Sequence, residues 1–164
     1  MKFEGRPTRS VGISEMIVSD EPNDVLVTYS LGSCLGIVMY DPIVKVGGLI
    51  HCMLPVSKDV ADGESRPFMF VATGLVAMLD ELYKKGAVKK NVICKIAGGG
   101  SPLNDNSFFR IGERNIAIAR KILWKNNIII SGEDVGGTSA RTLFFDLSDG
   151  TIIVRLDGQN EKML

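Results

Sequence analysis

Short apolar runs rich in β-branched residues, each cut off by Gly, Asp or Pro, most limit the folds open to this chain. They cover Ile13–Val18, Val25–Ser30, Cys34–Tyr40, Val46–Leu54, Val92–Ala97, Ile128–Glu133, Arg141–Leu147 and Thr151–Leu156. Runs of this length and composition are strands. Ser148-Asp149-Gly150 reads as a hairpin turn between the last pair. Asp41-Pro42 breaks the chain between Tyr40 and Val46 and makes a second hairpin. Two stretches have the helical period instead. Phe68, Val71, Leu75, Met78 and Leu82 fall on one helical face, with Lys84-Lys85-Gly86 as the C-terminus. From about Glu113 to Lys125, Ile116, Ala119 and Leu123 share a side. Two helices against about eight strands predict an α+β layered domain. Both apolar stripes belong to the core, so neither helix is given a catalytic role.

The 164 residues suffice for one domain with a real core, and no repeat or linker divides them. The expected core runs from about residue 11 to 156, with flexible N- and C-terminal ends. Lys+Arg and Asp+Glu both number 19, so the formal net charge is +0. A chain that neutralises phosphates carries a basic excess, so nucleic acid is not an expected partner. No window approaches the roughly 18 apolar residues of a membrane helix, so no membrane insertion is expected. Met1–Ser10 holds Lys2, Glu4, Arg6 and Arg9 and lacks the apolar stretch of a signal peptide. Three cysteines, an odd number, argue against a disulfide framework. The expected location is the cytoplasm.

His51 is the chain's one histidine. Nucleophilic hydrolysis at neutral pH needs a group that takes and returns a proton, and imidazole does so with an unperturbed pKa. A lone imidazole in an apolar strand is otherwise a core residue satisfied by a backbone carbonyl. Strand geometry raises the first reading. If Asp41–Val44 is the hairpin loop, Cys34 stands directly across from His51, within reach of its ring. A slip of one residue would separate them onto opposite faces, and a slip of two would leave them diagonal. Cys52 follows His51 and points to the other face. Cys94 lies in the apolar run Val92-Ile93-Cys94, so both read as small buried apolar residues. The spacing holds no C-x-x-C pair, which argues against a zinc site.

Leu31-Gly32-Ser33-Cys34 is a sharp turn into a strand. Such a turn leaves backbone N–H groups free for a substrate oxygen, as an oxyanion hole requires, and it is equally a plain tight turn. Thr28 and Ser30 precede it, expected on one side of their strand, and either could orient the imidazole as the third member of a triad. Ala97-Gly98-Gly99-Gly100-Ser101 lacks the spacing and lysine of a phosphate loop and reads as a turn. Glu133-Asp134-Val135-Gly136-Gly137 reads as a turn whose glycines permit positive φ. Arg141 and Arg114 suit loop anchoring through carboxylates.

Several motifs in order carry a resemblance. Thr28-Tyr29-Ser30-Leu31-Gly32-Ser33-Cys34, Tyr40-Asp41-Pro42, Lys45-Val46-Gly47-Gly48 and Ile50-His51-Cys52-Met53-Leu54-Pro55 closely resemble the chemoreceptor glutamine deamidase family, CheD. Lys95-Ile96-Ala97-Gly98-Gly99, Ile111-Gly112-Glu113-Arg114-Asn115 and Glu133-Asp134-Val135-Gly136-Gly137 with Arg141 resemble its later motifs. The likeness runs from about Val11 to Val154. It implies a three-layered α/β/β sandwich that deamidates glutamine to glutamate on cytoplasmic chemoreceptor helices. It implies Cys34, His51 and Thr28 as the catalytic residues, with Ser33, Gly32 and Ser30 positioning the substrate or its oxyanion. No metal or organic cofactor is required. A CheC-type phosphatase is an implied partner, and a non-catalytic role in binding such a phosphatase is the alternative reading. Two segments depart from the family's pattern. Phe70-Val71-Ala72 replaces a Tyr-x-Asp, and Gly100-Ser101-Pro102-Leu103 replaces a Met-Phe pair.

Overall fold

The computed structural model describes residues 2–101, 110–158 and 160–164. One five-stranded sheet holds β1 (Arg9–Ser10), β3 (Val25–Leu31), β8 (Arg141–Asp146), β9 (Ile152–Leu156) and β10 (Asn160–Met163), in that order. The second holds β2 (Met16–Ser19), β5 (Val46–Cys52), β4 (Leu35–Asp41), β6 (Ile93–Gly98) and β7 (Ile130–Val135), in that order. Pairing is antiparallel except β1 with β3 and β6 with β7. Helices α2 (Val71–Lys84) and α3 (Ile111–Lys125) cover the outer face of the second sheet. The result is the expected three-layer α/β/β sandwich.

Alternation along the central strands sorts their side chains between two cores. Leu35, Ile37 and Met39 of β4, with Val46, Ile50 and Cys52 of β5, face the helices. Val38, Tyr40 and Leu49 face the first sheet and meet Leu26, Leu143 and Phe145. Both strands are buried along their whole length. Burial on two faces explains why they read as unbroken apolar runs. Gly74 lets α2 approach β5, since a Cβ there would lie 2.6 Å from Ile50 Cδ1. The helix ends as expected, with Gly86 at φ +101° and Ala87 N–H donating to Leu82 O at 3.0 Å.

Four local features differ from the sequence reading. Phe68 lies in a 3-10 turn, Pro67–Met69, because Phe70 is held extended in a bridge to Leu54 and the helix starts only at Val71. A short helix, α1 (Val60–Ser65), precedes that turn, capped by Asp59 accepting from Asp62 N–H at 2.7 Å. The two ends carry short strands that were not expected. Phe3 is buried and stacks on Phe144 at 5.5 Å, β1 pairs with β3, and β10 pairs with β9. These strands are too short or too polar to stand out by periodicity. Finally, Asp41 pairs with Val46, so the hairpin loop is residues 42–45 and the register is shifted by two. The Asp41 carboxylate accepts from the N–H groups of Ile43 at 2.9 Å and Val88 at 2.8 Å, which keeps it at the strand end. Lys45 closes the turn at φ +56°.

Candidate active site

The shifted register places His51 across from Gly36 rather than Cys34. Cys34 stands one residue before β4 and two before Gly36, so it shares the imidazole's face and lies on its diagonal. Side chains in that relation are about 7–8 Å apart along the backbone, closer at their tips. Position 36 has no side chain, and a Cβ there would lie 2.9 Å from Leu31 Cδ1. A side chain opposite the imidazole would therefore require Leu31 to shift. Cys34 is half-buried, while Cys52 and Cys94 are fully buried on the helix side. Burial drives the Cys52 thiol far above its usual range and pushes Cys94 up to about 12. Neither ionises near neutrality, so Cys34 is the chain's one accessible thiol.

Thr28 reaches the imidazole from the other sheet. Its Oγ1 lies 2.7 Å from His51 Nδ1 and donates its own proton to Val11 O at 2.6 Å. A hydroxyl has one proton, so toward the ring it accepts. Nδ1 must carry the hydrogen, and Nε2 is left with its lone pair. Among the described residues Nε2 has no hydrogen-bond partner, although it is buried. Burial also lowers the imidazole's pKa from 6.5 to about 4, so the ring is neutral at physiological pH. The Cys34 thiol is raised by burial and partly offset by its own backbone N–H. Both groups are therefore neutral at rest, a thiol and an imidazole on one face of the sheet.

Ser30 does not share Thr28's face. A bulge between Thr28 and Leu31 shifts the register to β8, and Ser30 turns outward, exposed, at φ +58°. The bulge leaves Thr28 as the residue that meets the ring. The turn at Gly32 and Ser33 is gripped from behind. Gly100 N–H donates to Gly32 O at 2.8 Å, and Gly99 N–H to Cys34 O at 2.9 Å. Asn115 Nδ2 donates to Ser33 O at 2.9 Å and to Met53 O at 3.2 Å. Among the described residues, the N–H groups of Ser33 and Cys34 donate to no backbone carbonyl. The glycine loop can lie this close only because Gly98 has no side chain, since a Cβ there would strike the Cys34 carbonyl oxygen.

Sequence reasoning left the glycine loop as a plain turn and gave Asn115 no role. Its signal was the buried polar residue on an otherwise apolar helix side. Arg141, expected to anchor a loop, pairs with Asp134 at 2.9 Å and donates to Gly136 O at 2.7 Å. Gly136 and Gly137 take φ of +79° and +70°, as expected. Of the two departures from the family's pattern, Phe70-Val71-Ala72 forms the start of α2, with Phe70 as its extended N-cap and Val71 and Ala72 as its first helical residues. Pro102 and Leu103 lie outside the described residues. The described residues hold no group of three or more His, Cys, Asp or Glu arranged for a metal ion. No helix among them is long and apolar enough to cross a membrane.

A two-sheet sandwich thus sets a half-buried thiol and a tautomer-fixed imidazole on one inner face. The chain belongs to the CheD family: the family model described as CheD chemotactic sensory transduction matches residues 53–156. "Probable chemoreceptor glutamine deamidase CheD 1" of Syntrophus aciditrophicus (strain SB) is 48% identical over 149 residues, 90% of this chain and 93% of that one. "Probable chemoreceptor glutamine deamidase CheD" of Solibacter usitatus (strain Ellin6076) is 39% identical over 94% of this chain and 92% of its own. Thr28, Cys34 and His51 precede the span of the family model, but alignments this long leave too little chain outside to omit them. Among solved structures, Neisseria meningitidis protein NMB0706 superposes with a TM-score of 0.47 at 12% identity, covering 84% of this chain and 65% of that one.

Proposed function

We propose that this protein hydrolyses glutamine side-chain amides on the cytoplasmic regions of chemoreceptors to glutamate, with Cys34 as nucleophile and His51 as base. The observation that carries the reading is the Thr28–His51 contact. It fixes the proton on Nδ1 and leaves a buried, unpartnered Nε2 on the face Cys34 shares. A histidine placed only for packing would satisfy both nitrogens. In substrate-free proteins catalytic hydrogen bonds often close only when substrate arrives, which suits a thiol and imidazole not yet bonded.

The thiol proton passes to His51 Nε2 as sulfur attacks the glutamine Cδ. The carbonyl oxygen takes the negative charge, facing the amides of Ser33 and Cys34, which donate to no backbone carbonyl among the described residues. Collapse breaks the C–N bond, and His51 returns the proton to the nitrogen, which leaves as ammonia. Water then gives His51 a proton and adds to the thioester. Breakage of the C–S bond yields the acid, and the thiolate recovers its proton from the imidazolium. The amide plus water become carboxylic acid plus ammonia, and no further reactant is consumed. Because the Cys34 thiol is raised and His51 lowered, the proton moves during attack rather than beforehand.

Mass spectrometry of receptor fragments incubated with the protein tests the reading, seeking gains of about 1 Da at glutamine, the change when NH₂ becomes OH. Fragments unchanged by the wild type, or changed equally by Cys34→Ala, would remove it.

A further inference from the structure

We infer that Asn115 is a positioning residue that aims the Cys34 amide N–H at the substrate's developing oxyanion; the inference rests on the thiol-hydrolase reading above. The Ser33 carbonyl and the Cys34 N–H belong to one peptide unit. That unit is planar and trans, so its C=O and N–H point in opposite directions. Whatever holds the carbonyl therefore fixes where the N–H points. Asn115 Nδ2 holds Ser33 O at 2.9 Å. The neighbouring unit, Gly32 C=O with Ser33 N–H, is held in the same way by Gly100 N–H at 2.8 Å. Both candidate oxyanion donors are thus aimed by anchors on the opposite side of the turn, and Asn115 is the side-chain anchor of the two.

The second proton of the same amide goes to Met53 O at 3.2 Å. Met53 directly follows β5, the strand that carries His51. One carboxamide therefore ties the nucleophile's turn to the strand of its base. Because both Nδ2 protons are engaged, the amide's orientation is fixed, and Oδ1 is left buried with no partner among the described residues. Unpaired buried acceptors are rare, and each calls for a reason other than stability. Here the reason is that the turn and the end of β5 each take one donor from the same side chain, which Asn supplies only by leaving its oxygen unpaired.

The test uses the full-length protein as wild type, Cys34→Ala, Asn115→Ala and Asn115→Asp, each checked for folding by circular dichroism. Deamidation of a receptor fragment gives kcat and KM. Alkylation of Cys34 by iodoacetamide, at a pH above the thiol's titration, gives a reaction that builds no oxyanion. We expect kcat to fall about 10- to 100-fold, somewhat less than the loss of a whole oxyanion donor. KM and the alkylation rate should stay within about threefold, the pattern of an interaction made only in the transition state. A folded Asn115 variant with unchanged kcat, or with alkylation falling in step with kcat, would overturn the inference. So would failure of both variants to fold, which would make Asn115 a core residue only. An inactive wild type, or an active Cys34→Ala, would instead remove the deamidase reading itself.

Discussion

The two ends of the sandwich hold similar numbers of buried polar groups and treat them in opposite ways. At the hairpin end, every one is satisfied. Tyr40 OH donates to Leu147 O at 2.9 Å, and Asp41 caps its own turn. Asp146 accepts from Arg6 at 2.6 and 3.2 Å and from Ser148 N–H and Oγ at 2.9 and 2.7 Å. At the Cys34 end, His51 Nε2 and Asn115 Oδ1 are buried without partners, the two such side-chain atoms among the described residues. One fold thus carries an end whose buried polar groups are all paired and an end that leaves two polar atoms unpaired. A buried unpaired group costs about 1–3 kcal/mol, and the satisfied end and the apolar layers must offset it.

Substitutions at the two ends should separate activity from stability. The largest effect belongs to His51→Ala, which removes the proton carrier. Deamidation should fall by at least about 10³-fold, as when a member of a catalytic unit is lost. The unfolding midpoint in urea should fall only modestly, because the cavity and the lost Thr28 contact are partly offset when an unpaired nitrogen leaves with the ring. A residual rate near wild type would mean that the open end is not the reactive one. Asp146→Ala should do the reverse. Removing a buried carboxylate that pairs with Arg6 should cost about 2–4 kcal/mol of unfolding free energy. The rate of deamidation per folded molecule should be unchanged. Loss of activity without loss of stability would break the division between the ends.

Acid should strain the open end through His51. Its folded pKa is lowered from 6.5 to about 4 by burial. Between those values the unfolded chain binds a proton that the folded chain refuses, so stability falls as pH drops through that window. At 1.36 kcal/mol per unit, the full loss is about 3 kcal/mol by pH 4. Denaturation midpoints measured from pH 7.5 down to 4 should show this slope in the wild type and a shallower one in His51→Gln. Asp146 acts lower. Burial alone would raise its carboxyl, but Arg6 and Ser148 hold it below the ordinary value, so its contribution is lost only as pH falls further. Equal slopes in the two proteins would show that the imidazole titrates freely.

Much of this contrast could be read from the chain, and the limits have physical causes. Alternation alone sends Cys52 away from His51, and the structure buries it under α2 as that rule requires. The lone histidine, the turn before Cys34 and a hydroxyl on the preceding strand were all visible as residue types in order. The register was not. It depends on the Asp41 carboxylate bonding to Val88 N–H across 47 positions of chain. Nor could periodicity separate Thr28 from Ser30, because a bulge breaks the alternation between them. Asn115 gave the weakest signal. Its partners, Ser33 and Met53, are 82 and 62 positions away, and only folding brings their carbonyls to one amide.

The smallest effect is the sharpest test of the open end. Thr28→Val keeps the volume and branching of the side chain and removes one oxygen. Val11 O loses its 2.6 Å donor, and His51 Nδ1–H loses its acceptor. Nothing then prefers the proton on Nδ1. A ring that moves it to Nε2 presents Cys34 with a donor where a base is needed. The expected fall in kcat is about 10- to 100-fold, since general base catalysis contributes on the order of 10²–10⁴-fold and only part of the ring population is misassigned. Thr28→Ser restores the hydroxyl and should recover most of the rate. If Val and Ser variants lose activity equally, the methyl packing rather than the hydroxyl is what matters, and the tautomer argument fails while the thiol and imidazole keep their roles.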